Sequence, residues 1–312
     1  MVDDANIKTT VSPFAIREGE IKTFDGKDGY VSINQIINKI NLGHISDIHF
    51  KILDLINEFE FMTSRQIYLM LIHKGIEIKS QDKLNNKLDQ LVKTKILTRY
   101  YFSSEEGKGI YRVYCLEKMG KYLLTSREIE TRWQPTDNIK PVEMIKKRLA
   151  GNQIILAYLR KTKSFKEYVV KPKIMAKNEG KTIKANGEVS CLTKEGQKIS
   201  FVFECIRREL KWEGNFLDRM KMYSDFYNNF VQFDSGYQYP PQLVFVCEDD
   251  KHTVETFKQI VKNKIELKNT KLYFTTDLRQ NSDSLANSLI EFKLDEETNK
   301  YKAKEVSLKM LV

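Results

Sequence analysis

Very little in this 312-residue chain could staple or interrupt a fold. It has 4 cysteines, none in a Cys-x-x-Cys pair and none beside a histidine at zinc-ligand spacing. Cys115, Cys191, Cys205 and Cys247 each lie inside an apolar, strand-like run. That placement predicts buried free thiols in a reducing compartment and argues against a disulfide framework or a zinc site. No apolar run approaches the ~18 residues needed to cross a bilayer. The opening MVDDANIKTT lacks the apolar core of a signal peptide, so a cytoplasmic protein without a membrane partner is expected. His44, His49 and His73 have no catalytic partner nearby in sequence and are expected at the surface or the edge of the core.

Charge of one sign is scarce only locally. Lys and Arg total 52 against 42 Asp and Glu, for a net +10. Residues 1–130 hold 19 basic and 18 acidic side chains, residues 131–230 hold 21 and 11, and residues 231–312 hold 12 and 13. The whole excess therefore sits in the middle third, which points to a polyanion partner there or to a solvated lysine surface.

Residues 45–130 predict three helices and a two-stranded wing. A first helix spans about 45–57 and should bury Ile48, Ile52, Leu55 and Ile56. Thr63 and Gln66 form a capping-box signature before an apolar run containing Ile67, Leu71 and Ile72. Ser80 is a candidate N-cap for a helix with Leu84, Leu88, Leu91 and Val92 on one stripe. Its opposite face carries Gln81, Lys83, Asn85, Asn86, Lys87 and Gln90. Two short β-rich runs, ILTRYYF and IYRVYCL, follow across a polar, Gly-containing connection. Helix, helix, helix, hairpin is the order of a winged helix-turn-helix. Amides that pair with adenine and cations that hold phosphates suit a groove-reading helix, with Arg99, Lys108 and Arg112 supporting it from the wing. The same face also fits an ordinary solvated surface, or a docking surface for another protein.

Residues 1–44 predict an arm, or a short hairpin around Asp25-Gly26 with one helix near Ile33–Ile40. A helix is expected after the wing, through about residue 133. Residues 131–141, punctuated by Pro135 and Pro141, read as a linker. From 142 to 312 the pattern is helix, three strands, helix, strand, helix, strand, with a final strand suggested at the tail: an α/β domain with a mixed sheet. Within it Glu188 follows the Asn186-Gly187 turn, and Glu204 lies near the end of the next strand. Two carboxylates on neighbouring strands are a candidate Mg²⁺ pair for hydrolysis.

That element order and those acids resemble the restriction-endonuclease-like superfamily. The resemblance implies a metal-binding acid, a hairpin, and an acid-x-lysine ending the second strand. Here Gly187-Glu188 stands for the usual Pro-Asp, and Ile206 takes the lysine's place. In some members the lysine migrates to the following helix, where this chain offers Arg219, Lys221 and Tyr223. A nuclease reading would use Glu188, Glu204 and Lys221, with Mg²⁺ held by the two glutamates. An inactivated fold with salt-bridged glutamates is the competing reading.

Taken together, TSRQIYLML, LDQLVKTKILTR, YRVYCLEKMGKYLL, GEVSCL, ISFVFECIRR and DRMKMYSDFY resemble the replication-relaxation family of plasmids and integrative elements, over roughly residues 45–277. The resemblance implies a DNA-binding accessory role in replication or transfer. The expectation is thus a duplex-DNA-binding protein without a cofactor; the sequence leaves its oligomeric state open, with a dimer compatible. The rivals are an Mg²⁺-dependent endonuclease and a protein–protein adaptor of a replication or transfer complex.

Overall fold

The computed structural model describes residues 12–104, 107–176, 180–282, 284–295 and 300–307. It divides into two compact units, one over Ile16–Leu149 and the other over Ala150–Val312 together with residues 12–15. Both mix helix and sheet.

The first unit runs β1 (Ile21–Phe24), α1 (Ile33–Asn41), α2 (Asp47–Phe59), β2 (Met62–Thr63), α3 (Ser64–His73), α4 (Gln81–Lys93), β3 (Leu97–Ser104), β4 (Gly107–Leu116) and α5 (Lys118–Ser126). Its helices begin where side-chain oxygens cap the first turn. Thr63 and Gln66 satisfy each other's backbone N–H groups at 3.1 Å, and the Ser80 hydroxyl accepts from the Lys83 amide at 3.3 Å. Leu84, Leu88, Leu91 and Val92 are all buried, as their spacing requires. Four antiparallel strands form one sheet in the order β1-β3-β4-β2.

Several expectations need correcting here. The segment around Asp25-Gly26 does not close a local hairpin. Instead β1 pairs with β3, from Ile21 opposite Ser103 to Phe24 opposite Tyr100, and adds a third strand to the β3–β4 hairpin. Ile72 is 48 % exposed, and Met70 takes its place in the core. Ile48 is only half-buried, whereas His49 is buried. The His49 ring satisfies both nitrogens there: Nδ1 accepts from the Ser46 amide at 3.1 Å and Nε2 meets Gln90 Oε1 at 2.8 Å. Burial lowers its pKa, only partly offset by the Gln90 hydrogen bond, so it sits neutral with its proton on Nε2. Helix α5 ends at Ser126 rather than near residue 133. The chain then returns and buries Trp133, whose indole N–H donates to Asn138 Oδ1 at 3.2 Å. Gly120 permits α5 to lie close to the start of β3, since a Cβ there would stand 2.4 Å from the Ile96 carbonyl oxygen.

The boundary between the units falls inside α6 (Val142–Lys161). After it come β5 (Phe165–Val169), β6 (Lys173–Ala176), β7 (Lys181–Lys184), β8 (Gly187–Leu192), β9 (Lys198–Cys205), α7 (Trp212–Asn228), α8 (Gln232–Ser235), β10 (Gln242–Cys247), α9 (Asp250–Lys262), β11 (Leu272–Thr276), α10 (Asp277–Asn281), β12 (Leu289–Asp295) and β13 (Lys300–Val306). Seven strands make the main sheet, ordered β13-β12-β11-β10-β9-β8-β5. Its centre, β9-β10-β11, is parallel, and the flanking pairs are antiparallel. The run EYVVKPKIMA is two strands rather than one. It breaks at Pro172, after which β6 leaves the main sheet and pairs with the unexpected β7. The tail supplies two strands where one was expected.

Against one face of the sheet α7 buries Phe216, Met220, Tyr223, Phe226 and Tyr227 beside Leu243, Phe245 and Phe274. At the end of β9 the fully buried Arg207 donates to Asp277 Oδ1 at 2.9 Å and to the carbonyls of Ile206 and Val246. The Ser12 hydroxyl also donates to Asp277. Asp277→Ala strips that guanidinium of its counter-charge and is expected to cost about 3–5 kcal/mol. Urea unfolding checks it, and Arg207→Met combined with Asp277→Leu should recover most of the loss.

Candidate nucleic-acid interface and buried carboxylate pair

In the first unit α4 presents the residues expected to read DNA, but it does not present them equally. Lys83, Asn86 and Gln90 are exposed, and Gln81, Asn85 and Lys87 are half-exposed. Gln81 Nε2 donates to Asn85 Oδ1 at 3.3 Å, and Gln90 is engaged by His49. Lys83, Asn86 and Lys87 are therefore the open functional groups of that face.

Of the cations expected to support α4 from the β3–β4 hairpin, Arg99 and Arg112 are paired with carboxylates. Asp25, just past β1, accepts from Arg112 Nε at 2.8 Å and lies 2.9 Å from Arg99 Nε. Arg99 also binds the Asp89 carboxylate of α4 and the Asp25 carbonyl, so it joins α4, β3 and the residue that follows β1. Arg112 keeps 57 % of its side chain exposed despite its partner. Lys108 lies on β4 opposite Ser103, and its side chain is outside the described residues.

In the second unit the strand register brings the two glutamates together. Glu188 of β8 stands opposite Val202 of β9, which puts Glu204, two residues further on, on the same face of the sheet. Both are buried, at 7 % and 8 % exposure. Each is sealed by side chains from α7 or from the stretch before β10. Glu204 Oε2 accepts from Tyr223 OH at 2.8 Å and forms an ion pair with Arg219. Glu188 Oε2 accepts from Tyr237 OH at 2.8 Å. Burial, with the adjacent carboxylates, raises the pKa of Tyr223 and Tyr237, so both remain neutral donors. Burial opposes the Arg219 charge, but Glu204 and Tyr223 outweigh it and raise its pKa. Lys221 lies elsewhere, 70 % exposed and paired with Asp218 at 3.1 Å.

These residues do not fit a metal cage. One oxygen of each glutamate is already bonded to a tyrosine, a guanidinium occupies Glu204, and the described residues contain no cluster of three or more His, Cys, Asp or Glu suited to a metal ion. Of the sealing groups, Arg219 and Tyr223 could be found from α7 as its helical partners. Tyr237 sits in the irregular stretch before β10, where no periodicity marks it.

Among known families, the replication-relaxation profile matches residues 53–178. The match runs from within α2 through β6 and stops before both glutamates. No curated protein and no solved structure matches the chain.

Glu188 gives a pH test. Burial raises its pKa, against partial opposition from its hydrogen bonds to Tyr237 and Ser200. A carboxyl whose folded pKa is raised penalises folding at pH values above that pKa, and the penalty vanishes below its unfolded value. Glu188→Gln should therefore raise the denaturant midpoint near pH 7.5 and leave it unchanged near pH 4. A midpoint that falls at neutral pH would show that the charged form is instead stabilised by its neighbours.

Proposed function

We propose that this chain is a duplex-DNA-binding accessory protein of mobile-element replication or transfer, in keeping with the replication-relaxation match over residues 53–178. The observation that carries this reading is the outward face of α4. It follows α2 and α3 and precedes the β3–β4 ribbon, the element order of a winged helix, and it leaves Lys83, Asn86 and Lys87 open. Asparagine can bond adenine through two hydrogen bonds in a major groove, and the lysines are placed to take phosphates beside it. Gln81, Asn85, Gln90 and Arg99 mainly shape the helix and brace it, because their polar groups are used internally.

The second unit supports a binding role over hydrolysis. Its element order fits a restriction-endonuclease-like core, but its acid pair is closed by Arg219, Tyr223 and Tyr237, and Lys221 faces away. Hydrolysis needs a held metal, a positioned water and an offset for developing charge, and loss of one such part commonly costs a factor of about 10² or more.

Titrations on duplexes enriched from a random library, compared with scrambled ones across salt, test the α4 assignment. Asn86→Ala should erase the preference for enriched duplexes. Lys83→Ala and Lys87→Ala should weaken both equally and each flatten the log–log salt slope by about 0.9. Equal losses on both duplexes for Asn86→Ala would remove base reading from α4. In a separate assay, supercoiled and linear DNA should remain intact with Mg²⁺ or Mn²⁺. Nicking that disappears in both Glu188→Ala and Glu204→Ala would make the protein a nuclease.

A further inference from the structure

The β6–β7 hairpin stands apart from the seven-stranded sheet and has two unlike faces. Ile174, Ala176 and Ile183 are buried, and both isoleucines join the cluster with Met220, Tyr223 and Tyr227 of α7. The outer face carries Lys173 directly opposite Lys184, and Met175 directly opposite Thr182, all four exposed. Two like charges facing each other across a strand pair destabilise it. An anion bound between them would reverse that effect.

Beside the lysine pair lies a cleft of about 210 Å³ lined by Lys173, Met175, Phe226, Asn229, Phe230 and Val231, among others. Met175 is 63 % exposed and Val231 46 %, so apolar surface lies beside the two cations. The cleft also contains Asp225, whose carboxylate accepts from Asn229 Nδ2 at 2.9 Å. A duplex offers phosphates to such a surface but keeps its base faces stacked inside. An unpaired strand offers both, a phosphate for the lysines and a base for the apolar wall.

From this we infer that the second unit holds an unpaired polynucleotide strand across the β6–β7 hairpin, with its backbone on Lys173 and Lys184 and a base lodged against Met175 and Phe230. The site rests on the nucleic-acid reading of the chain but lies on residues that the α4 contacts do not include.

The full chain is titrated with fluorescent oligo-dT and oligo-U of about 20 nucleotides at ~50 mM salt. Lys173→Glu/Lys184→Glu changes exposed side chains only, and an unchanged melting temperature confirms its fold. It should lower single-strand affinity at least about tenfold and flatten the salt slope by about 1.4, roughly 0.7 for each lost phosphate contact. Phe230→Ala should lower affinity about fivefold or more without altering the slope. Duplex binding, which is read through Asn86→Ala, should remain within about twofold of wild type in the double lysine variant, so failure of the α4 reading is visible separately. Binding of only one oligonucleotide would identify the strand as DNA or RNA. Failure of the wild-type chain to bind either, wild-type affinity in the double variant, or equal loss of duplex and single-strand binding would each overturn the inference.

Discussion

Asn186 occupies a corner where three elements must agree. Its amide donates to the Phe203 carbonyl at 2.9 Å, and its side-chain oxygen accepts from the Cys205 amide at 2.8 Å. Meanwhile Gly151 of α6 approaches so closely that a Cβ would stand 2.3 Å from the Asn186 carbonyl oxygen. The turn is thus pinned on one side by strand β9 and on the other by helix backbone, with no room for a side chain on α6. That fixes the β8–β9 register, and the register alone places Glu188 and Glu204 on one face. The next helix, α7, then brings Arg219 and Tyr223 onto Glu204. The acid pair is consequently a product of backbone geometry, while its chemical character is set by what α7 and the stretch before β10 lay on top.

What the residues disclosed, and what they did not, divides along the range of the interactions. Caps at Thr63 and Ser80 and the Leu84–Leu88–Leu91 stripe are local, so spacing reveals them. Strands β8, β9 and β10 are short apolar runs bounded by turn residues and were equally legible. The pairing of β1 with β3 joins residues 76 to 82 positions apart, and nothing in the segment around Asp25 announces it. The burial of His49 depends on Gln90, contributed by another helix, so its own sequence surroundings do not disclose it. The seal on Glu188 was invisible because Tyr237 lies in an irregular segment.

The basic surplus of residues 131–230 exceeds the positive charge that reaches the surface. Within the basic stretch 131–230, Lys146 is 2 % exposed and bound to Glu20 at 2.5 Å, Arg207 is fully buried against Asp277, and Arg219 is committed to Glu204. Arg208 bridges Glu248, Asp249 and Glu255. Several of the cations that create the surplus therefore serve the interior, where they offset carboxylates from both ends of the sequence. The surplus left for solvent is smaller and more local, and the β6–β7 hairpin is one place where it is concentrated without carboxylates directly across the strand pair.

The choice of arginine over Glu204 has a consequence of its own. A guanidinium keeps its proton at every pH a folded protein survives, whereas a lysine in the same low-dielectric setting would be open to neutralisation. Acidity in the surroundings thus has no handle on the cationic half of this lock. Freeing Glu204 requires Arg219 to swing away or α7 to shift, so the accessibility of the pair is governed by conformation and sealed against titration of its cation.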